Sequence, residues 1–292
     1  MAKPKAKSAL KFFAKFALSA LAIYLVFSKI ELEEVWSLMR KSDPLFLILA
    51  VVFFNLSKVI SSGRLLALFR AIQVDISFAH NLRLYYVGMF YNLFLPGGIG
   101  GDGYKVYHLK KRGEATTKLL LAAVLLDRIS GAALLAFLAM VLALFVPELF
   151  SHRIWFYLDA IGALVAVPSL ILLIRIAFKS FRKATVEAVG LSLLVQAAQL
   201  ICAWCILRAY GVDDFYLMYF VLFLVSSIAA MLPVSFGGVG LRELVFLYAA
   251  SLLPIDETAA VALGLAFFLI TAASSLIGVF LRLPTVNKSS SN

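Results

Sequence analysis

The chain contains little charge and very little cysteine or histidine. Of its 292 residues, 15% are charged, two are cysteine and three are histidine. No second cysteine pair or histidine cluster accompanies Cys202 and Cys205, so their C-x-x-C spacing does not indicate a metal or redox site. We expect these two cysteines to be small apolar packing residues, because they lie inside an apolar segment. The histidines, His80, His108 and His152, are scattered and lack the spacing of metal ligands.

Several functional signatures are also missing from the sequence. It contains no nucleophile–base constellation, P-loop or zinc signature, so we predict no catalytic residue, no metal and no cofactor, and no enzyme activity. The short alternating segments of an outer-membrane barrel, of roughly ten residues each, are absent too. Gly98, Gly100 and Gly103 satisfy G-x-G-x-x-G, but an apolar membrane segment rather than a strand precedes them. That context excludes a dinucleotide site.

Long apolar runs dominate what is present. The chain is 63% hydrophobic and its mean hydropathy is +0.98, whereas a soluble domain is about half apolar. We therefore predict an all-α polytopic integral membrane helical bundle. The net charge of +11 fits basic cytoplasmic loops beside an anionic leaflet, so it does not imply a nucleic-acid partner. Because a span needs roughly 20 apolar residues, the predicted spans are 10–28, 44–62, 119–146, 155–176, 186–208 and 259–281.

Two further apolar stretches, 78–96 and 216–233, end in matching glycine motifs. The first motif reads LPGGIGGDG from residue 95, and the second reads LPVSFGGVGLRE from residue 232. Proline and glycine interrupt helices and charge is costly in lipid, so neither motif suits a simple span. We expect two re-entrant hairpins, although eight spans are the alternative. Matching breaks in two halves of a membrane protein point to the substrate site of a transporter, whereas the simpler alternative is that these residues only shape helix packing.

Basic residues orient the predicted spans. Lys58, Arg64, Arg70 and Arg83 follow the second span, and further basic residues precede the third span. These charges predict that both loops lie in the cytoplasm. The first hairpin then enters and returns on the cytoplasmic side, and the second on the external side. Each half contains span, span, hairpin and span, so we expect an inverted repeat within one domain. The predicted segments are halves of about 1–146 and 147–283 within a domain of 1–283, an interfacial segment at 64–77, and a polar cytoplasmic tail at 284–292, with both termini cytoplasmic in the cell membrane.

The candidate substrate site combines the two motifs with charges in the spans. Helix amino termini at the motifs would offer N–H groups to an anion such as a lipid phosphate. Asp127 and Arg128 either clamp a hairpin to the third span or grip a headgroup. Asn55, Gln196 and Gln199 either line a polar path with Asn92 or make interhelical hydrogen bonds, the commoner role. The predicted substrate-binding residues are Asn92, Pro96, Gly97, Gly98, Gly100, Gly101, Asp102, Lys105, Asp127, Arg128, Pro233, Gly237, Gly238, Gly240, Arg242 and Glu243.

Three stretches together resemble a known family. They are NLFLPGGIGGDGYKVYHLKKRG, LLDRISG and LPVSFGGVGLRE, in that order, and they are similar to the transmembrane, flippase-like domain of the lysylphosphatidylglycerol synthase family. Bifunctional members of that family join this membrane domain to a cytosolic domain that takes an amino acid from aminoacyl-tRNA. The present chain ends just after the sixth predicted span. The resemblance therefore implies a stand-alone member without the synthase part.

The resemblance implies a lipid translocase. We expect it to move a phospholipid with an anionic or aminoacylated headgroup, similar to lysylphosphatidylglycerol, between leaflets. One alternative is a membrane enzyme, or the membrane subunit of an aminoacyl- or glycosyl-transfer system, and another is a small-solute or ion transporter. The expected partner is a membrane phospholipid; a separate synthase or transferase and an oligomer stay open.

Overall fold

The protein is an all-α bundle. The structure, a computed structural model, describes residues 32–94, 99–231, 241–251 and 253–283. Within those residues every regular element is helical, as predicted. The first predicted span, 10–28, and the predicted tail lie outside them. The α-helices are α1 (Leu32–Arg40), α2 (Pro44–Ala71), α3 (Phe78–Phe94), α4 (Gly100–Lys111), α5 (Thr117–Ala143), α6 (Arg153–Ala177), α7 (Thr185–Ala209), α8 (Tyr216–Met231), α9 (Leu241–Ala250) and α10 (Glu257–Phe280).

Side-chain caps fix where the long helices begin. Asp43 accepts a hydrogen bond from the Leu45 amide at 2.8 Å, and Pro44 occupies the first helical position, where its missing N–H costs nothing. Asp256 caps α10 in the same way through the Thr258 amide. These caps satisfy amides that have no partner within the helix.

Five helices are long and apolar enough to cross a membrane: α2, α5, α6, α7 with the 3-10 turn before it, and α10. They match the five predicted spans that fall within the described residues. The predicted interfacial segment at 64–77 is wrong for its first half, because α2 continues to Ala71. Leu65 and Phe69 are fully buried there, and Arg64 finds a partner inside the bundle. Burial of that stretch therefore favours continuation of the helix.

Each glycine motif lies between two helices that pack against each other. The first pair is α3 with α4, and the second is α8 with α9. All four are shorter than the five spans, at 17, 12, 16 and 10 residues. Their lengths suit arms that do not cross the bilayer alone. We call these pairs the first and second hairpins; that they are re-entrant stays a prediction.

The helices pack in matched pairs. The second and fifth predicted spans, α2 and α7, make the most extensive contact in the described bundle. Around this pair, contacts in one half have counterparts in the other. The contact of α5 with α8 corresponds to that of α10 with α3, and the contact of α4 with α5 corresponds to that of α9 with α10. Two repeats related by a twofold axis would produce such matched contacts. The inverted repeat itself stays a prediction. Both hairpins consequently flank the central α2–α7 pair.

Candidate functional site

A cluster of charges joins the first hairpin to the span behind it. Asp102 lies in the first turn of α4. One of its oxygens accepts a hydrogen bond from Lys105 Nζ at 3.1 Å, and the other accepts one from Arg128 Nε. Because Arg128 belongs to α5, the carboxylate links the return arm of the hairpin to the third predicted span. Three predicted site residues therefore lie in direct contact.

A second ion pair ties α5 to the centre of the bundle. Asp127 accepts a hydrogen bond from Arg64 Nε at 2.7 Å, and Arg64 Nη1 donates to Ser192 Oγ at 2.9 Å. The side chains of Arg64 and Asp127 are 6% and 9% exposed. Adjacent helical residues point about 100° apart, so Asp127 and Arg128 reach different partners. The expected clamp between a hairpin and the third span matches the contact of Arg128 with Asp102, whereas Asp127 instead ties α5 to α2.

Each hairpin begins its return arm with a cation stacked on an aromatic ring. Lys105 Nζ lies 4.5 Å from the centroid of Tyr85, and the Arg242 guanidinium carbon lies 4.6 Å from that of Phe267. A second ring, Phe223, lies 5.7 Å from Arg242. Alignment of the two motifs on their Leu-Pro pairs places Lys105 and Arg242 at equivalent positions. Stacking partly compensates each cation for its lost water.

Glycine allows the two arms of the first hairpin to touch. A Cβ placed on Gly101 would lie 1.8 Å from the backbone oxygen of Gly88. Nearby, Asn92 Oδ1 accepts a hydrogen bond from the Gly101 amide at 2.8 Å. Asn92 therefore caps the amino terminus of α4 from the opposite arm. Both predicted site residues make contacts that hold the hairpin closed.

Other predicted site residues lie beyond what the structure describes. Glu243 belongs to α9, but its side chain is outside the described part of the chain. Gly100 is the first residue of α4 and is partly buried. The predicted residues outside the described ranges are Pro96, Gly97, Gly98, Pro233, Gly237, Gly238 and Gly240.

Two histidines that are distant in sequence meet at the open end of the first hairpin. The Nε2 atoms of His80 and His108 are 3.2 Å apart. Burial lowers the pKa of His108 to about 4, and the nearby His80 and Arg112 add to the effect. Burial also lowers the pKa of His80. The expectation of scattered histidines is wrong for this pair, although no third ligand for a metal accompanies it among the described residues.

Two of the polar residues proposed to line a path, Asn55 and Gln196, connect helices. Tyr86 Oη donates to Asn55 Oδ1 at 2.8 Å, and Asn55 Nδ2 donates to Ser274 Oγ at 3.1 Å. Gln196 Nε2 donates to the backbone oxygen of Gly131 at 3.4 Å. These are the interhelical hydrogen bonds of the second alternative. They join α2 to α3 and α10, and α7 to α5.

A family model of a membrane domain matches most of the chain. A family model described as the lysylphosphatidylglycerol synthase TM region matches residues 12–186 and 180–278. The chain belongs to this family. No curated protein matches it. The matched residues include both hairpins and every predicted site residue, so the resemblance seen in the three motifs is confirmed.

Sequence reasoning missed two cations in this family member. Arg64 and Lys58 are counted above among the loop charges that orient the chain, yet both lie within α2. The available signal is the absence of proline or another helix stop between residues 62 and 71, where the sequence SGRLLALFRA remains largely apolar. Composition alone cannot distinguish a charge in a cytoplasmic loop from one buried in the bundle. The burial of Arg64 depends on Asp127, a partner 63 residues away in the sequence.

Proposed function

We propose that this protein moves a phospholipid with an anionic or aminoacylated headgroup, similar to lysylphosphatidylglycerol, between the leaflets of the cell membrane. The observation that carries the proposal is an excess of cations around the hairpins. Even with Glu243 included, cationic side chains outnumber carboxylates in this region. The described cations include Lys58, Arg64, Lys105, Arg128 and Arg242, and the carboxylates include Asp102 and Asp127.

The difference in exposure between the two ion pairs supports different roles for them in this proposal. The Arg128 side chain is 29% exposed, whereas that of Arg64 is 6% exposed. A headgroup can therefore reach Arg128 without disrupting the bundle. In this mechanism Asp102 holds Arg128 and Lys105 in place until a phosphate exchanges for its hydrogen bonds. Arg64 and Asp127 meanwhile keep α5 fixed against α2.

The same cluster suits an aminoacylated headgroup. The ammonium of such a headgroup can pair with Asp102 while its phosphate pairs with Arg128. Both charges then remain partnered inside the membrane, where unpaired charge is costly. The acyl chains stay in the bilayer. Because the sequence lacks a nucleotide-binding motif, we propose passive or ion-coupled movement and no enzyme activity.

Leaflet exchange of labelled phospholipids in proteoliposomes tests this proposal. Vesicles would carry wild type, Arg128→Ala or Arg128→Lys, and labelled phosphatidylglycerol, lysylphosphatidylglycerol or phosphatidylcholine. Arg175→Ala is the control, since this arginine is exposed at the end of α6. We expect exchange by the wild type and the control, at least tenfold slower exchange by Arg128→Ala, and partial recovery with lysine.

Absence of exchange of every lipid by folded wild-type protein would contradict the proposal. The membrane-subunit alternative, with a separate synthase or transferase, would then become the leading hypothesis. Uptake of a small solute without lipid exchange would instead favour the solute-transporter alternative. Equal exchange by wild type and Arg128→Ala would remove Arg128 from the path.

A further inference from the structure

Lys58 is an isolated cation in the middle of a span. It lies close to the midpoint of α2, a helix of 28 residues. Its ammonium lies 4.4 Å from the centroid of the Phe54 ring. Among the residues that the structure describes, no carboxylate lies within ion-pair distance of Lys58. A charged side chain at this depth is costly to keep and marks a functional position more often than a structural one.

A second cation approaches Lys58 from the other half of the chain. The Phe54 ring beneath Lys58 packs edge-to-face on the Phe267 ring, with the two ring centroids 5.4 Å apart. Arg242 lies in the first turn of α9, stacked on Phe267. Like charges repel each other most strongly where water is excluded. An anion between Lys58 and Arg242 would relieve that repulsion.

We propose that Lys58 and Arg242 form a second anion-binding position, which takes a phosphate group and is separate from the Asp102 cluster. The inference rests on the proposed function. It adds to the Asp102 cluster a second position, to which each half of the chain contributes one residue. The two residues have complementary chemistry, since lysine provides a compact point charge and arginine a planar fork that can bind two oxygens. A phosphate diester offers two charged oxygens for these donors. The position selects anionic over zwitterionic headgroups, because no carboxylate contacts Lys58 in the described part of the chain.

Binding of short-chain lipids in detergent tests the position directly. The variants are Lys58→Met, Arg242→Met and the double substitution, with Arg70→Met as control on the exposed end of the same helix. The probes are dioctanoyl phosphatidylglycerol, dioctanoyl phosphatidylcholine and inorganic phosphate, and the readouts are the dissociation constant and the thermal midpoint. We expect Lys58→Met to weaken binding of phosphatidylglycerol about tenfold or more, while Arg70→Met has no effect.

Stability separates a binding role from a structural one. Methionine removes the charge of a half-buried side chain and keeps most of its length, so Lys58→Met should unfold at the same temperature as wild type or higher. If both cations contact one phosphate, the double variant should lose less affinity than the product of the two single losses. Wild-type affinity in Lys58→Met, or wild-type protein that binds both lipids equally, would overturn the inference.

The probes and the exchange assay separate the remaining outcomes. Binding of the anionic lipid without binding of inorganic phosphate would identify a lipid as the source of the phosphate group. Binding of inorganic phosphate alone, lost in Lys58→Met, would support the position with a free anion as its ligand. Leaflet exchange by wild type with unaltered binding in Lys58→Met would overturn this position and leave the proposed function standing. Binding that depends on Lys58, without leaflet exchange by wild type, would support this position and contradict the proposed function.

Discussion

Close backbone contact, rather than conformational freedom, explains why glycine is required at position 101 of the first hairpin. Its Cβ position is blocked by the backbone of Gly88, which cannot rotate away as a side chain could. Gly103, two residues later on the same helix, has nothing within 4 Å of its Cβ position. The two glycines therefore differ in packing while sharing a helix.

We expect Gly101→Ala to destabilise the protein and Gly103→Ala to be neutral or slightly stabilising. The first substitution forces the arms of the hairpin apart, at a cost of about 1–3 kcal/mol or more. The second gains up to about 1 kcal/mol of helix propensity. Thermal unfolding in detergent measures both. Equal midpoints for the two variants would show that the arms of the hairpin are not in contact at Gly101.

The buried pair of Arg64 and Asp127 yields a prediction with a larger effect. Asp127→Asn leaves the Arg64 charge buried without its carboxylate, which costs about 3–5 kcal/mol. Combining Arg64→Met with Asp127→Leu removes both charges, so we expect the double variant to be more stable than Asp127→Asn alone. Glu148→Gln, at an exposed position, is the control. A double variant no more stable than Asp127→Asn would argue against a charge-burial penalty.

At the scale of the element, the histidine pair makes the stability of the first hairpin depend on pH. The pKa of His108 falls from an ordinary value of 6.5 to about 4 in the folded hairpin. Between these values the unfolded chain binds more protons than the folded one, so stability falls as the pH drops through this window. The positive charges of Arg112 and Lys111 lower the pKa of His108 further. Arg83 likewise lowers the pKa of His80, whereas Glu114 raises it.

We expect the thermal midpoint of wild type to decline between about pH 6.5 and pH 4, and His108→Phe to flatten that decline. Carboxylates also titrate in the lower part of this range, so the difference between variants is the decisive quantity. His152→Phe is the matched control, because this histidine is exposed outside the hairpin. The same slope in wild type and His108→Phe would contradict the prediction.

Helices were more predictable from the sequence than the contacts between them. Five spans and both helix pairs follow from apolar length and from the Leu-Pro-glycine breaks, since these features act locally. The pairing of Arg128 with Asp102 fits the expected clamp between a hairpin and the third span. The bond between Arg64 and Asp127 and the contact of His80 with His108 were not foreseen, because both depend on how distant helices pack. No local pattern encodes that packing.

At the scale of the whole molecule, the two halves differ chemically although their helices pack alike. The first hairpin starts its return arm with Asp102 and Lys105, which are paired with each other. The equivalent segment of the second hairpin has Val239 and Arg242 in the sequence. A shared architecture thus places a stacked cation on each side of the α2–α7 centre, with a carboxylate at Asp102 on one side and Val239 at the equivalent position of the sequence on the other. We infer that a headgroup meets two different electrostatic environments as it passes.

Passage between two such environments requires the hairpins to enter from opposite faces, and single-cysteine labelling tests this. The basic loop after the first hairpin should face the cytoplasm, and the loop before α10 should face outside. We expect Lys110→Cys to react with a membrane-impermeant maleimide only from the cytoplasmic side, and Glu257→Cys only from the external side. Both positions are exposed, while Cys202 and Cys205 are free but buried, so the background should be low. Labelling of both positions from one side would give the halves the same orientation, and a headgroup could then not be passed from one hairpin to the other across the membrane.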